Sequence, residues 1–245
     1  MRCSWRLFLC STYGWLHHAG WNIDASSNRG FFWRDLDVAE PYGRQLARQA
    51  AAITAHGPQA HSVLRFGGSG NDVLVYEFGS TKCPEPASNR NCLNETTWRN
   101  LLEFTRAANA RIIFGICEPK WTGCGAPEQG PHCGSDRKQP CTPCPPWDAS
   151  NAREILEWTI AQGLDDLIYG LELGNEVDGM YSGAQQAGNL QTLYNLTLEL
   201  WQDASKRPVL LGPDAAHQDA VQTAPPFPTP RDAYVYEFFK EAGRL

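Results

Sequence analysis

The chain has 245 residues, 42% hydrophobic and 20% charged, a balance that suits one large domain with a sizeable core and excludes a disordered or fibrous protein. Its net charge is −6 and no basic block occurs, which argues against a nucleic-acid partner and against a surface that grips a long polyanion. No apolar run is long enough for a transmembrane segment.

Residues 1–19 form an atypical lead-in, with early Arg residues and a short apolar run that polar and bulky residues interrupt, a poor signal-peptide pattern. From residue 20 the elements are regular. GWNIDASS predicts a short strand ending at Asp24, and PYGRQLARQAAAITAHG predicts an Ala-rich helix stopped at Gly57. HSVLRFGG predicts a second strand, broken at Gly67 and Gly68. Ser69 to Thr96 reads as irregular around the apolar stretch DVLVYEF. TTWRNLLEFTRAANA predicts a helix with Thr96 or Thr97 as N-cap, and RIIFGIC a third, buried strand. A Cys-rich insertion over 118–147 follows. DASNAREILEWTIAQG then predicts a helix opened by Asp148, Ser150 or Asn151 and closed by Gly163. DLIYGLELGNE predicts the fourth strand, Ala184 to Ser205 a helix, RPVLLGPDA the fifth strand, and DAYVYEFFKEAG a helix ending at Gly243. QTAPPFPTPRD is a Pro-rich loop within the pattern and not a domain boundary.

Strand and helix alternate with no hairpin signal, which predicts α/β class with a parallel sheet. Five β/α units fit a barrel or a doubly wound sheet. NIDASSNRG lacks the GxGxxG of a dinucleotide fold, and LRFGGSGND lacks the Lys of a phosphate loop. The pattern therefore favours an incomplete (β/α)8 TIM barrel over residues 20–245, about its first five units.

Nine Cys is high for a cytosolic enzyme. Cys124, Cys133, Cys141 and Cys144 fall in a Gly- and Pro-dense stretch, which points to disulfides and an oxidising compartment. A zinc site is the rival reading, although one CxxC pair stands without a second. Cys83 and Cys92 can close another short loop, and the odd count leaves at least one thiol unpaired. The sequons at Asn94 and Asn195 fit a secreted glycoprotein. His17, His18, His56, His61, His132 and His217 form no metal-ligand spacing, and only His217 falls near a proposed strand tip. No metal and no cofactor is expected. Nine Trp and eight Tyr serve packing or, in part, stacking on sugars.

The stretch LELGNEVDG carries the candidate chemistry. Its strand ends in Gly174, Asn175 and Glu176, at the tip where a β/α barrel holds its active site. Glycoside hydrolysis needs a carboxylic acid of this kind, and an adjacent Asn can bond a sugar hydroxyl. A helix N-cap followed by a first-turn carboxylate is the competing role. If the strand continues, Glu172 and Glu176 share parity and both face inward. A buried Glu needs a partner, and Arg65 of the second strand is expected to supply it, a structural role near the site.

NIDAS, LRFGGSGND, IIFGIC, WDASNA, LELGNE and LLGPDA occur in one order along the chain. Together they resemble the heparanase-like family, glycoside hydrolase family 79, in the clan of retaining barrel glycosidases. The resemblance spans roughly Asn22 to the C-terminus and rests on LRFGG, ELGNE and GPD in combination. It implies Glu176 as general acid/base, its pKa raised by the site, and Asn175 as holder of the sugar 2-hydroxyl. It places Asp24 at the substrate cleft, against the alternative of a turn cap. Gly67, Gly68 and Ser69 bring backbone close to the ligand, and Asn71 and Asp72 are ligand contacts or turn formers. The implied substrate is a carbohydrate, a glucuronic-acid-containing glycan, cleaved with retention. The implied location is secreted, extracellular or the endolysosomal lumen, with peripheral membrane association. A clan member acting on xylosides or arabinosides would keep Asn-Glu without the LRFGG and GPD context.

The family's nucleophile comes from a late strand far beyond the acid. Glu237 and Glu241 lie in a helical pattern, so neither is expected to be that nucleophile. The chain thus reads as the N-terminal part of a retaining glycosidase, completed by a C-terminal half or a complementing chain. The alternative is a non-catalytic glycan- or partner-binding remnant.

Overall fold

The computed structural model describes residues 20–25, 33, 36–52, 62–83, 92–118, 144–215 and 230–243, with backbone alone at 24 and 230–232. The lead-in 1–19, residues 119–143 of the Cys-rich insertion, the end of the first predicted helix at Gly57, most of the Pro-rich loop and all six His lie outside these residues.

Five strands form one parallel sheet: β1 (Gly20–Asp24), β2 (Ser62–Gly67), β5 (Ala110–Ile116), β6 (Ile168–Leu173) and β7 (Val209–Leu211), in the order β1-β2-β5-β6-β7. That order runs in step with the chain. A doubly wound sheet reverses direction at a switch point, whereas a barrel adds each strand beside the last. With right-handed crossovers, sequential addition puts every helix on one face. Consecutive helices do touch: α1 (Pro41–Ala52) with α2 (Glu95–Ala107), α3 (Ser150–Ala161) with α4 (Gly183–Leu200), and α4 with α5 (Pro230–Ala242). The chain is a partial (β/α)8 barrel, its sheet open at β1 and β7 among the described residues.

Strand alternation separates the two faces. Ile23, Phe66, Ile112, Phe114, Leu171 and Leu173 face the helices and are at most 1% exposed. Phe114 stacks with Phe66 and packs against Trp98 of α2 and Tyr76. At roughly 1.5–3 kcal/mol for each buried large apolar side chain, this layer carries most of the driving force. The opposite face holds Asn22, Arg65, Ile113, Glu172 and Val209, all partly or fully exposed.

Helix ends follow side-chain chemistry more than the first polar residue. Asn94, not Thr96 or Thr97, caps α2: its side chain accepts from Thr97 N at 2.9 Å, so the cap lies two residues before the earlier Thr. Ser182 and Gln185 form a full capping box on α4, which ends at Leu200 rather than Ser205. Gly163, with φ 65°, follows α3 in a Schellman turn: Gly163 N bonds Ile160 O and Leu164 N bonds Thr159 O.

The stretch after β2 is more ordered than its sequence suggests. A 3-10 turn at Asn71–Val73 leads to β3 (Val75–Glu77), which pairs in parallel with β4 (Cys92–Asn94). Cys83 and Cys92, nine positions apart, form a disulfide that closes the segment. Cys144 is disulfide-bonded as well, which removes one thiolate from the zinc alternative. Cys117 is the free thiol among the described residues. For a loop of this length, Cys83→Ser/Cys92→Ser is expected to lower stability by about 2–3 kcal/mol in chemical denaturation. A change within experimental error would show that the small sheet holds itself.

Glu154 on α3 fastens the turn after β3. Ser80 N and Oγ donate to its Oε1 at 3.0 and 2.8 Å, and Asn151 Nδ2 donates to Oε2 at 3.4 Å. Hydrogen bonds, the Thr81 hydroxyl foremost and then Ser80, hold its carboxyl down to about 2 against a desolvation that opposes them. A carboxyl depressed on folding stabilises the fold above its unfolded pKa of about 4.3, and that stabilisation is lost as pH falls through the folded value. Solvent screening limits it to about 1 kcal/mol. Glu154→Gln should therefore unfold at lower urea at neutral pH and match the native chain near pH 2. A pH-independent difference would assign the effect to packing.

Candidate active site

Because all five strands are parallel, their C-terminal ends meet on one rim. Gly67 ends β2 and is followed by Gly68 and Ser69; Cys117 and Glu118 follow β5; Gly174, Asn175 and Glu176 follow β6; Gly212, Pro213 and Asp214 follow β7. Asp24, the last residue of β1, is in register with Gly67, and Ala25 N donates to Gly67 O. This sets the Asp24 backbone on the same rim.

The strand parity that would aim Glu172 and Glu176 alike ends at Leu173. Gly174 has φ 70° and Glu176 φ 52°, both left-handed, on either side of Asn175. The alternation resets, so that Asn175 is buried at 7% and Glu176 is exposed. Left-handed backbone costs a non-glycine residue roughly 1–2 kcal/mol, and such strain persists where neighbours over-determine it. Neither residue caps a helix with its side chain: Glu176 opens the 3-10 turn Val177–Gly179 without such a bond, and Ser182 caps α4.

The neighbours that fix the turn come from several elements. Asn175 N donates to Asp72 Oδ1 at 3.0 Å, and Gly174 N donates to Ile116 O at 3.0 Å. Asn175 Nδ2 donates to Ser69 Oγ at 3.3 Å, and its Oδ1 accepts from Arg65 NH2 at 3.4 Å. The amide orientation follows, since Oδ1 must face the guanidinium. Asn71 and Asp72, expected at the ligand or in a turn, are both 1% exposed in the 3-10 turn beneath the rim. Asn71 Nδ2 donates to Gly115 O. Ser69 is exposed above them.

Arg65 lies at the centre of the inner face. Its Nε donates to Glu172 Oε2 at 2.7 Å, and its NH2 lies 2.6 Å from that oxygen and 3.0 Å from Asp214 Oδ2. Its NH1 reaches Asn22 Oδ1 at 3.5 Å. Arg65 and Glu172 belong to strands two apart, and glycines at 67 and 115 leave room for them to meet. Gly115 lies between them in the sheet, and a Cβ on Gly67 would stand 3.3 Å from the guanidinium carbon and 3.4 Å from Glu172 Oε2. Glu172 is 13% exposed and Asp214 24%.

Other ionisable groups under the rim are held neutral. Burial first, then the carboxylates of Asp72 and Glu118, push the Cys117 thiol up to about 12. Burial likewise raises Tyr76, Tyr181 and Tyr234. These groups keep their protons at physiological pH. Asp214 had no role assigned from sequence, although it follows a strand tip as Asn175 does. Glu118, Gln186 and Asn189 carry no sequence signal: nothing local marks a helix amide that points under a neighbouring strand.

The sequence pattern of the glycosyl hydrolase family 79 N-terminal domain matches residues 6–223. Baicalin-beta-D-glucuronidase of Scutellaria baicalensis is 27% identical over 173 residues, which is 62% of this chain and 31% of that protein. Heparanase-like protein 3 of Arabidopsis thaliana is 24% identical over 221 residues, 84% of this chain and 37% of that protein. Heparanase-like protein 1 of the same plant is 25% identical over 193 residues, 75% and 31% respectively. The chain thus spans about a third of the length of the curated relatives it matches.

Proposed function

The chain belongs to glycosyl hydrolase family 79, and from that premise we propose that it carries the acid/base half of a retaining glycosidase acting on a glucuronic-acid-containing glycan. Glu176 is the general acid that protonates the departing glycosidic oxygen, then the general base that activates water. Asn175, its amide fixed between Arg65 and Ser69, holds the sugar 2-hydroxyl. Asp24 and Ser69 line the cleft beside Gly68. Asn71 and Asp72 act through the turn, Asp72 by its bond to Asn175 N.

One observation carries this reading. Glu176 is an exposed carboxyl on a left-handed residue, the backbone beside it is tied down from β5 and the Asn71–Val73 turn, and the Asn175 side chain is held from β2 by Arg65. The two nearby carboxylates of Glu172 and Asp214 are held by Arg65, so neither is offered as the nucleophile. In the proposed enzyme a carboxylate outside the described residues attacks the anomeric carbon. The engagement of Arg65 and the chain's net charge of −6 favour a glycan of low sulfation. Two disulfide-bonded segments and two exposed sequon asparagines, Asn94 and Asn195, support passage through the secretory lumen.

The test is hydrolysis of an aryl β-glucuronide by the full-length secreted protein, followed by proton NMR. The β anomer should appear first and then mutarotate. Initial release of the α anomer would exclude the retaining mechanism, and an untouched substrate would favour a glycan-binding remnant.

A further inference from the structure

Glu118 stands two residues past the tip of β5 and is 0% exposed, a place where a carboxylate is costly unless hydrogen-bonded. Two amides of α4 meet it. Asn189 Nδ2 donates to Oε1 at 2.6 Å, and Gln186 Nε2 donates to Oε2 at 2.9 Å. Both amide orientations are forced. Asn189 Oδ1 accepts from Trp147 N at 3.0 Å, so its nitrogen must face Glu118. Gln186 Nε2 also donates to Leu173 O at 3.2 Å, and a reversed amide would set its oxygen against two acceptors. The result leaves Gln186 Oε1 buried without a hydrogen-bond partner among the described residues. An orphaned buried acceptor calls for a reason.

The reason lies at the carbonyl that Gln186 holds. Leu173 is the last residue of β6, and the chain turns left-handed at the next position. A Cβ on Gly174 would come within 2.6 Å of Glu118 Oε2. The carboxylate therefore fills the space beneath the turn, while the amide that binds it pins the turn's first carbonyl. We propose that Glu118, held by Gln186 and Asn189, is a positioning residue that sets the Gly174 turn and thereby the place of the Glu176 carboxyl. The proposal rests on the reading that Glu176 is catalytic.

The test uses the full-length secreted protein and a compensating exchange of chemistry. Glu118→Gln sets an NH2 group against the NH2 of Asn189 or of Gln186, since both donate to the carboxylate. Adding Asn189→Asp turns the contact at position 189 into a donor and an acceptor while still accepting from Trp147 N. Glu118→Gln should lower kcat on an aryl β-glucuronide about ten- to hundredfold per active site, titrated with a mechanism-based inactivator, with KM within about threefold. It should also speed hydrogen exchange at Asn175 N–H, and the double variant should restore both. Unchanged kcat per titrated site, with only the melting temperature lowered, would reduce Glu118 to a structural role. If the native protein does not turn over the glucuronide, the catalytic reading is lost, and the exchange arm still decides: unaltered Asn175 exchange in Glu118→Gln overturns the proposal.

Discussion

Glu176→Gln in the full-length protein should lower turnover of an alkyl β-glucuronide by about a thousandfold, within the range that a positioned acid/base supplies. The alkoxide leaving group cannot depart without a proton, and the amide has none to give at the required acidity. A dinitrophenyl glucuronide leaves as a stable phenolate, so its first step should be nearly unaffected. Its second step still needs a base to activate water, which predicts a burst of dinitrophenol followed by slow release. Azide needs no base and should speed that second step, giving a glycosyl azide of retained configuration. Equal losses on the two substrates, with no burst, would remove Glu176 from the acid/base role. The fold should be unharmed, because the side chain is exposed and its left-handed backbone suits Gln as it suits Glu.

Arg65→Met is expected to destabilise the chain by about 2 kcal/mol. The methionine keeps the apolar stem and removes the charge. Glu172, 13% exposed, and Asp214, 24% exposed, then lose the cation that both share. Breaking a fully buried pair costs roughly 3–5 kcal/mol, and the partial exposure here lets water recover part of that. Glu172→Gln in the Arg65→Met background should return part of the stability, since one uncompensated carboxylate is gone. Urea unfolding of the two single variants and the double variant measures the coupling. Independent effects would mean that the 2.6 Å contact contributes nothing. Activity should fall as well, because Arg65 NH2 also bonds Asn175 Oδ1.

Much of the architecture was legible because it is written in short-range patterns. Apolar runs such as RIIFGIC and LIYGLEL set the strands, and helical periodicity between them set the crossovers. Their alternation alone allowed a barrel or a doubly wound sheet. The observed order β1-β2-β5-β6-β7 decides between them. The segment after β2 read as irregular because three-residue strands leave no period to detect, and β3 and β4 exist by pairing with each other across a disulfide. The N-cap of α2 was misplaced for a related reason: Asn94, Thr96 and Thr97 all suit a cap, and only the backbone geometry picks Asn94.

For the site, sequence determined which residues stand at strand tips. GNE after β6, GGS at the end of β2 and GPD after β7 share one rim because parallel strands share a direction. It could not determine what those residues face. Parity aimed Glu176 with Glu172, and two left-handed residues within three positions undid that alignment. It left Asn71 and Asp72 as ligand contacts or turn formers, and the fold buries both in a 3-10 turn beneath the rim. It overlooked Glu118, whose partners Gln186 and Asn189 lie 68 and 71 residues away. The difference is physical. Backbone direction and period are local properties that a stretch of chain carries with it, whereas the orientation of a polar side chain is set by the donor or acceptor that folding brings to it from another element.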